Sequence, residues 1–339
     1  MTPPNRIAQL LESISRTSVG VLGDFCLDAY WELDQGTPEL SLETGKPTLA
    51  VTHQRYSPGG AGNVAHNLIA LGAKRVPVFG VTGTDPFGGE LQRQLSALGA
   101  ANGLTVQGAE WQTPVYAKPY SGAEEQSRID FGRFNVLSEE SERTLIRQLN
   151  DEIKNLDGLV INQQLQRSIY TPGLVGALHT LARQWPDKVF LVDARHRIQD
   201  FHAMICKLNA VEAAHLFRKE ISDNESATDE ELGRYAEQIF ARTGKPVFIT
   251  RSRRGILLFD GVAIMHVPAE EVPEPTDPVG AGDTVVATLT AALAAGAELK
   301  DSARLATLAA SVSVRKLKQT GTATPGEILA LASSAAPSW

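Results

Sequence analysis

Short apolar runs closed by turn residues, most of them separated by amphipathic helical stretches, constrain this chain more than any other feature. They include "SVGVLGD" (18–24), "RVPVFGVTG" (75–83), "DGLVINQ" (157–163), "KVFLVDA" (188–194), "PVFITR" (246–251) and "GILLFDG" (255–261). Runs of this length suit strands buried on both faces. Stretches 61–73, 87–100, 138–156, 172–185 and 229–244 carry apolar residues at helical spacing. Buried strands alternating with such helices predict an α/β fold, a mainly parallel sheet covered on both faces. No flexible linker, internal repeat or low-complexity tract interrupts residues 1–339, so one large domain is expected.

Two regions break the rhythm. Residues 32–57 and 110–131 show polar alternation and no helical pattern. Both read as extended strands set apart from the main sheet, able to pair with each other as a small β-sheet lid. In an open α/β sheet, ligands bind beyond the carboxyl ends of the strands. The polar residues at those ends are Asp24, Asp28, Gln163, Asp193, Thr250 and the segment ending in Asp283.

Composition removes several functions. The 339 residues carry a net charge of −7 and no basic block, so nucleic acid is not expected as a main partner. The only cysteines, Cys26 and Cys206, form no CxxC pair, which argues against a disulfide framework and a structural zinc site. Both are expected as reduced thiols in or near the core. The opening "MTPPNRIAQLLESIS" is amphipathic without an apolar signal region, and no run of about 18 apolar residues occurs. A cytoplasmic protein without a membrane partner is the expectation.

The chemistry is concentrated where glycines lead into helices. In "TDPVGAGDT" (276–284), followed by the helical "VVATLTAALAAG", glycines let backbone N–H groups approach a ligand. A helix N-terminus there offers free N–H groups and partial positive charge to an anion. Asp283 beside it can take a proton from an attacking hydroxyl. From spacing alone, a glycine-rich turn capped by Asp283 stands equally beside that reading. "YSPGGAGNVAHNLIALGA" (56–73) repeats the pattern, with Gly59, Gly60 and Asn63 placed to meet a polar ligand. Gly60 to Ala65 also fits G-x-G-x-x-A of dinucleotide folds, but it follows the irregular region rather than a strand of a βαβ unit. No P-loop motif occurs. In "VGVLGDFCLDAYW" (19–31) a strand end is followed by Asp24 and Asp28, carboxylates suited to sugar hydroxyls or to simple solvation.

Taken together, these three stretches resemble the PfkB-type, ribokinase-like carbohydrate kinases: the Gly-Gly-x-Gly-Asn segment near residue 60 resembles the first signature and "DPVGAGDT" the second. The resemblance covers nearly the whole chain. It implies a three-layer α/β/α sandwich with a small β-sheet lid. Further stretches, "RIDF" (128–131), "LVDAR" (191–195), "LNAVEA" (208–213) and "TRSRRGI" (250–256), resemble the kinase domain of bacterial heptose 7-phosphate kinases. Those enzymes phosphorylate the anomeric hydroxyl of D-glycero-β-D-manno-heptose 7-phosphate. Bifunctional members carry a nucleotidyltransferase domain after the kinase; the chain as given stops at Trp339, and that second activity is not expected of it.

The resemblance implies an enzyme using ATP and Mg²⁺. Asp283 would be the catalytic base, and the backbone of Gly280, Ala281 and Gly282 the anion hole. Asp28, Gly59, Gly60, Asn63 and Gln163 would meet the sugar. Asn209 and Glu212 match an N-x-x-E motif acting on magnesium through its waters. Thr250, Ser252, Gly255, Asp277, Thr320 and Gly321 fall at the nucleotide, and "KLKQTGTA" (316–323) where the adenine and a monovalent cation such as K⁺ would lie. A phosphorylated substrate needs cations, and Lys46, Arg55, Lys118, Arg128 and Arg133 stand in or beside the lid segments. Exposed lid strands would be covered by pairing of two copies, so a homodimer through the lid is expected. Departures from the family are Pro278-Val279 for a threonine-rich pair, Ser252 for a common glycine, "VDAR" for Val-Asp-Pro-Lys, and "SLETGKPTLAV" for a proline-rich lid segment. Fructose, ribose or a keto-deoxy sugar acid are the other sugars in view, and a non-catalytic binder on the same fold is the other class.

Overall fold

The computed structural model of the chain describes residues 4–36, 38–101, 103–217, 227–317 and 319–334. Of the residues singled out above, Lys318 of the 316–323 segment and Trp339 lie outside them. Helix α1 (Pro4–Ile14) precedes strand β1 (Val19–Gly23), which runs into β2 (Phe25–Leu33). Strand β3 (Val51–Gly60) leads directly into α2 (Ala61–Ala70). There follow β4 (Val78–Gly83), α3 (Pro86–Leu98), β5 (Leu104–Gln107), β6 (Val115–Ser121), β7 (Glu124–Glu125) and β8 (Ile129–Phe131). The next stretch holds α4 (Glu139–Glu152), β9 (Gly158–Gln163), α5 (Pro172–Gln184), β10 (Val189–Ala194), β11 (Ile205–Asn209), α6 (Ala210–Leu216) and α7 (Asp229–Thr243). The chain closes with β12 (Val247–Thr250), β13 (Ile256–Phe259), β14 (Ile264–Val267), α8 (Ala281–Ala294), α9 (Leu299–Ser313) and α10 (Pro325–Ser334).

The larger sheet has nine strands in the order β14-β13-β12-β11-β10-β9-β1-β4-β5. It is parallel from β12 to β5, and β13 and β14 are antiparallel additions at one edge. Each apolar run named from sequence is one of these strands; β5, β11 and β14 were not named. Two apolar layers sandwich the sheet. Val19 and Val21 of β1 face the layer built with α1, α2, α8 and α9, while Leu22 faces the layer built with α4, α5 and α7. Strands buried on both faces explain why their sequences are continuous rather than alternating. Helix ends are fixed locally: Ser138, Thr171 and Thr228 cap α4, α5 and α7 with side-chain oxygens, and Gly244 ends α7 in the left-handed conformation. No helix among the described residues is long and apolar enough to cross a membrane.

The smaller sheet runs β3-β2-β6-β7, with β8 also on β6. The two irregular regions do meet, through the parallel β2–β6 pair. The boundary differs from the sequence expectation. The small sheet begins at Phe25, not near residue 32, and Asp28 lies inside a strand rather than in a loop. Only Asp24 separates β1 from β2, so the chain changes sheets across one residue, a switch that a Gly-Asp turn signal does not announce. Side chains alternate across this sheet. Leu27, Ala29, Val115 and Ala117 join the apolar layer, while Asp28 and Tyr30 share the opposite face with Arg55, Tyr116 and Lys118 by register.

Candidate active site

The strand order reverses between β1 and β9: from β1 the chain builds outward through β4 and β5, and from β9 outward the other way. Such a reversal opens a crevice at the carboxyl ends of the strands. Asp24, Asn162, Asp193, Lys207 and Asn209 stand there, and α8 begins above them.

At the start of α8, Gly280 has φ +79°, and a side chain there would place its Cβ 2.7 Å from Asn63 Nδ2. Glycine is required on both counts. The turn before it is closed by the Val279 N–H, which donates to Asp277 Oδ1 at 3.0 Å. The Ala281 N–H donates to the Pro278 carbonyl at 3.1 Å. This corrects the expected cradle: Ala281 has no N–H to offer an anion, because the tight turn uses it. The Gly280, Gly282 and Asp283 N–H groups take no partner among the described residues, and the helix N-terminus has no side-chain cap. Those are the donors an anion would meet.

The Asp283 carboxylate accepts from Asn63 Nδ2 at 2.7 Å. Asn63 is held in turn, since Asn67 Nδ2 donates to its backbone carbonyl at 2.9 Å and Thr284 Oγ1 donates to Asn67 Oδ1 at 2.8 Å. These bonds lock the first turns of α2 and α8 together. Asp283 keeps part of its surface open, yet protein packs closely round the carboxyl. Burial pushes its pKa up to about 7; the Asn63 bond opposes this, Asp193 adds to it, Lys207 opposes it and Asp28 adds to it. A carboxylate so tuned can exchange a proton near neutral pH.

Below Gly282 lies a buried ion pair, Lys207 Nζ to Asp193 Oδ1 at 3.0 Å. Next to it, Asn209 and Glu212 form a capping box at α6: the Glu212 N–H donates to Asn209 Oδ1 at 2.8 Å, and the Asn209 N–H to Glu212 Oε2 at 2.8 Å. The Glu212 carboxyl sits above its ordinary range, through burial first, with Lys207 opposing. Among the described residues no cluster of His, Cys, Asp or Glu stands ready to hold a metal. With Asn209 Oδ1 and one Glu212 oxygen already committed, the site fits a magnesium that arrives with nucleotide phosphates and meets these residues through water.

Across the crevice the small sheet presents Asp28, whose carboxylate accepts from Lys118 Nζ at 3.0 Å. A Cβ on Gly59 would come within 2.8 Å of the same carboxylate. Arg55 and Lys118 flank the Tyr30 ring at 4.0 Å and 4.9 Å, and Arg128 covers Tyr116 while paired with Asp130. Lys46 and Arg133 are exposed. Cys26 is a buried free thiol beside these groups; burial, then Asp28, Asp24 and Asp283, push its pKa well above the ordinary value. Cys206 is a free thiol buried in the second apolar layer.

On the far side, Thr250 closes β12 with its hydroxyl donating to the Leu208 carbonyl at 3.4 Å. The 251–255 turn holds Ser252 and Gly255 at φ +53° and +78°. Buried Arg251 braces it with bonds to Asp229 at 2.9 Å and to the Arg254 carbonyl at 2.8 Å. Thr320 approaches Gly280, and the Gly321 carbonyl accepts from Thr284 Oγ1 at 3.5 Å. The expected residues Asp28, Gly59, Gly60, Asn63, Gly280, Gly282, Asp283, Thr320 and Gly321 therefore converge, with Asn209 and Thr250 on the adjoining strand ends and Glu212 in the first turn of α6.

Two expectations fail on geometry. Gln163 is fully buried, donating to the Leu165 carbonyl and accepting from the His196 N–H, so it shapes the loops and offers a ligand nothing. Asp24 is likewise consumed, accepting from the N–H groups of Gln164 and Leu165 and from Ser168 Oγ. The G-x-G-x-x-A segment follows β3 of the small sheet, which is antiparallel to β2, and not a strand of a βαβ unit. Sequence reasoning missed Lys207, Arg251, Asn67 and Thr284. The i,i+4 spacing of Asn63 and Asn67 was the available signal for one of them.

The pattern of the "pfkB family carbohydrate kinase" matches residues 29–325. The chain is 34% identical over 334 residues to the bifunctional protein HldE of Pelobacter propionicus, covering 95% of this chain and 64% of that protein. It is 32% identical over 310 residues to the bifunctional protein HldE of Gluconobacter oxydans, covering 90% and 62%. The chain thus spans less than two thirds of these curated relatives. Among solved structures it is similar to phosphofructokinase-2 from Escherichia coli in complex with potassium (TM-score 0.74, 20% identity, 94% of this chain and 98% of that one). It is also similar to Arabidopsis thaliana ribokinase complexed with ribose and ATP (TM-score 0.69, 17% identity, 94% and 99%). These likenesses establish the ribokinase-like fold. The family pattern across most of its length makes this chain an enzyme, a sugar kinase belonging to the pfkB family of carbohydrate kinases.

Proposed function

We propose that the chain transfers the γ-phosphoryl group of ATP to the anomeric hydroxyl of a heptose 7-phosphate. One observation carries the catalytic half of this reading: a carboxyl tuned to about 7, Asp283, stands in the first turn of an uncapped helix facing the polar side of a small sheet. Asp283 accepts the hydroxyl proton as the sugar oxygen bonds to the γ-phosphorus and the bond to the departing ADP oxygen breaks. The charge on the transferred group grows against the Gly282 and Asp283 N–H groups, already oriented before the reaction. Asp28 and Asn63 orient the sugar, and the small sheet acts as a lid that excludes water. Asn209 and Glu212 would order the waters of a bound magnesium ion, which would supply neutralisation of the phosphate charge. Thr250, Ser252, Gly255, Asp277, Thr320 and Gly321 border the nucleotide. In the 316–323 segment Lys316 Nζ donates to the Thr322 carbonyl at 2.7 Å and pairs with Glu327, so a potassium ion there would share that carbonyl with an ammonium.

Similarity to HldE over most of the chain supports the heptose choice. One observation favours a second reading, an unphosphorylated sugar: Lys118 and Arg128 are already paired with Asp28 and Asp130, so a substrate phosphate reaching them would share its cation with an internal acid. A panel of phosphorylated and unphosphorylated sugars with ATP, Mg²⁺ and coupled ADP detection separates them. Heptose 7-phosphate should give the highest kcat/KM; preference for ribose, fructose or a sugar acid overturns the heptose reading and leaves the kinase assignment standing.

A further inference from the structure

Lysine is almost never fully buried without a partner. Lys207 is 4% exposed in the middle of the central sheet. Its neighbours Cys206 and Leu208 point into one apolar layer, and Lys207 points the other way, toward the start of α8. By register it lies beside Asp193 on β10, and Asp193 lies beside Asn162 on β9. Asn162 Nδ2 donates to Asp193 Oδ2 at 3.3 Å, and Lys207 Nζ donates to Asp193 Oδ1 at 3.0 Å. Three adjacent strand ends are thereby joined by one polar chain. A buried ion pair is a poor way to gain stability, since well-packed apolar residues often serve as well or better. Its position is more telling. Lys207 Nζ stands 3.4 Å from where a Cβ of Gly282 would be, directly beneath the backbone of the first turn.

We propose that the Asp193–Lys207 pair is a positioning unit: Asp193 fixes the Lys207 ammonium under the Gly282 backbone, where its charge faces Asp283 and makes the anion cradle electropositive. The proposal rests on the reading of Asp283 as the base. The groups facing Asp283 are Asn63 from α2, Asp193 from β10, Lys207 from β11, and Asp28 and the Cys26 thiol from β2. Among them Lys207 is the cation. Burial alone would push the Lys207 ammonium down, but Asp193, Glu212 and Asp283 more than offset this, so it stays charged. The two members of the pair act on Asp283 with opposite sign: Asp193 raises its proton affinity and Lys207 lowers it. A purely structural pair could shift Asp283 too, but it would not cost kcat when the lysine charge is lost nor regain it with Lys207→Arg.

The test uses the full chain with carboxyl-labelled aspartate, following the Asp283 titration by NMR without any substrate. The signal is assigned by its loss in Asp283→Asn. Lys207→Met should move the midpoint up by about one pH unit, Asp193→Asn should move it down, and Lys207→Arg should leave it near the wild-type value. The acidic limb of kcat against pH should move in the same directions, and Lys207→Met should lower kcat by about 10²-fold. An Asp283 midpoint unmoved in both charge variants, or moved the same way in both, overturns the proposal. If Lys207→Met fails to fold, Lys207→Gln takes its place: an upward shift of the midpoint supports the unit, an unchanged midpoint removes it. Absence of ATP-dependent transfer to any sugar would instead defeat the kinase chemistry and leave the titration result intact.

Discussion

A base that takes a proton from a sugar hydroxyl works best with a pKa close to the operating pH. Asp283, pushed up to about 7, meets that condition, and substitution should expose it twice. Asp283→Asn should lower kcat by at least about 10²-fold while nucleotide binding, followed by calorimetry, changes little. The same variant should be more heat-stable than the wild type at pH 8, with the advantage shrinking by pH 5. The sign follows from linkage: a carboxyl held above its ordinary 3.8 binds its proton more tightly when folded, so its contribution to stability is present at low pH and is lost as pH rises through about 7. An equal Tm difference at both pH values would show that Asp283 is not desolvated in this way. Spacing alone left Asp283 equally readable as the cap of a glycine-rich turn; the second glycine-led helix at 59–63 and the N-x-x-E at 209–212 made it legible as a base. The sequence left Lys207 invisible, because a lysine inside "ICKLN" reads as the end of a strand until its partner, fourteen positions earlier, is brought beside it.

At the scale of elements, the site is the joint between the first turns of α2 and α8, and two glycines there have different jobs. Gly280 has φ +79° and no room beyond its Cα, because Asn63 Nδ2 fills the space. Gly282 has ordinary helical backbone and only the Lys207 ammonium nearby, at contact distance. Gly280→Ala should therefore cost about 1–2 kcal/mol from backbone strain alone, with more from displacing Asn63, and lower Tm by several degrees. Gly282→Ala should leave Tm nearly unchanged. Equal losses in thermal denaturation would contradict this division. Sequence shows both residues only as glycines before a helix; that Gly280 has no room for a methyl and Gly282 has room depends on contacts from α2 and β11. The same limit explains the strands that were missed. The charged side chain in β11 breaks the apolar run that marks a buried strand, and β14 lies at an edge, where half-exposed residues weaken the signal. Most of the long helices and central strands, whose periodicity is set by burial on one face or both, were readable, although α9 and β11 were not named.

At the scale of the whole molecule, the small sheet is the part left uncovered. Its apolar side packs on the body of the protein, but β3 forms a free edge, exposed along Val51–Arg55. The segment leading into that edge carries Leu40, Leu42 and Leu49 with 62%, 98% and 74% of their surfaces open, and Val51 continues the series at 47%. An exposed edge strand next to exposed leucines is a template for association that soluble proteins normally blunt with charge or cover. Lys46 is the one cation between Leu42 and Leu49, too little to blunt it. Coverage by the same surface of a second copy satisfies both the edge and the leucines, and a two-fold pairing closes without propagating into a fibre. Sedimentation should accordingly give twice the 36.5 kDa chain mass at micromolar concentration. Leu42→Asp combined with Leu49→Asp should return the chain to a monomer, since each introduces a charge that must be desolvated in the interface. Because Asp28 and Tyr30 sit on the same sheet, the monomeric variant should show a raised KM for the sugar with nucleotide affinity unchanged. A wild-type chain that sediments as a monomer would remove the contact, a double variant that remains dimeric would place it elsewhere, and either would leave the small sheet as a lid that works within one copy.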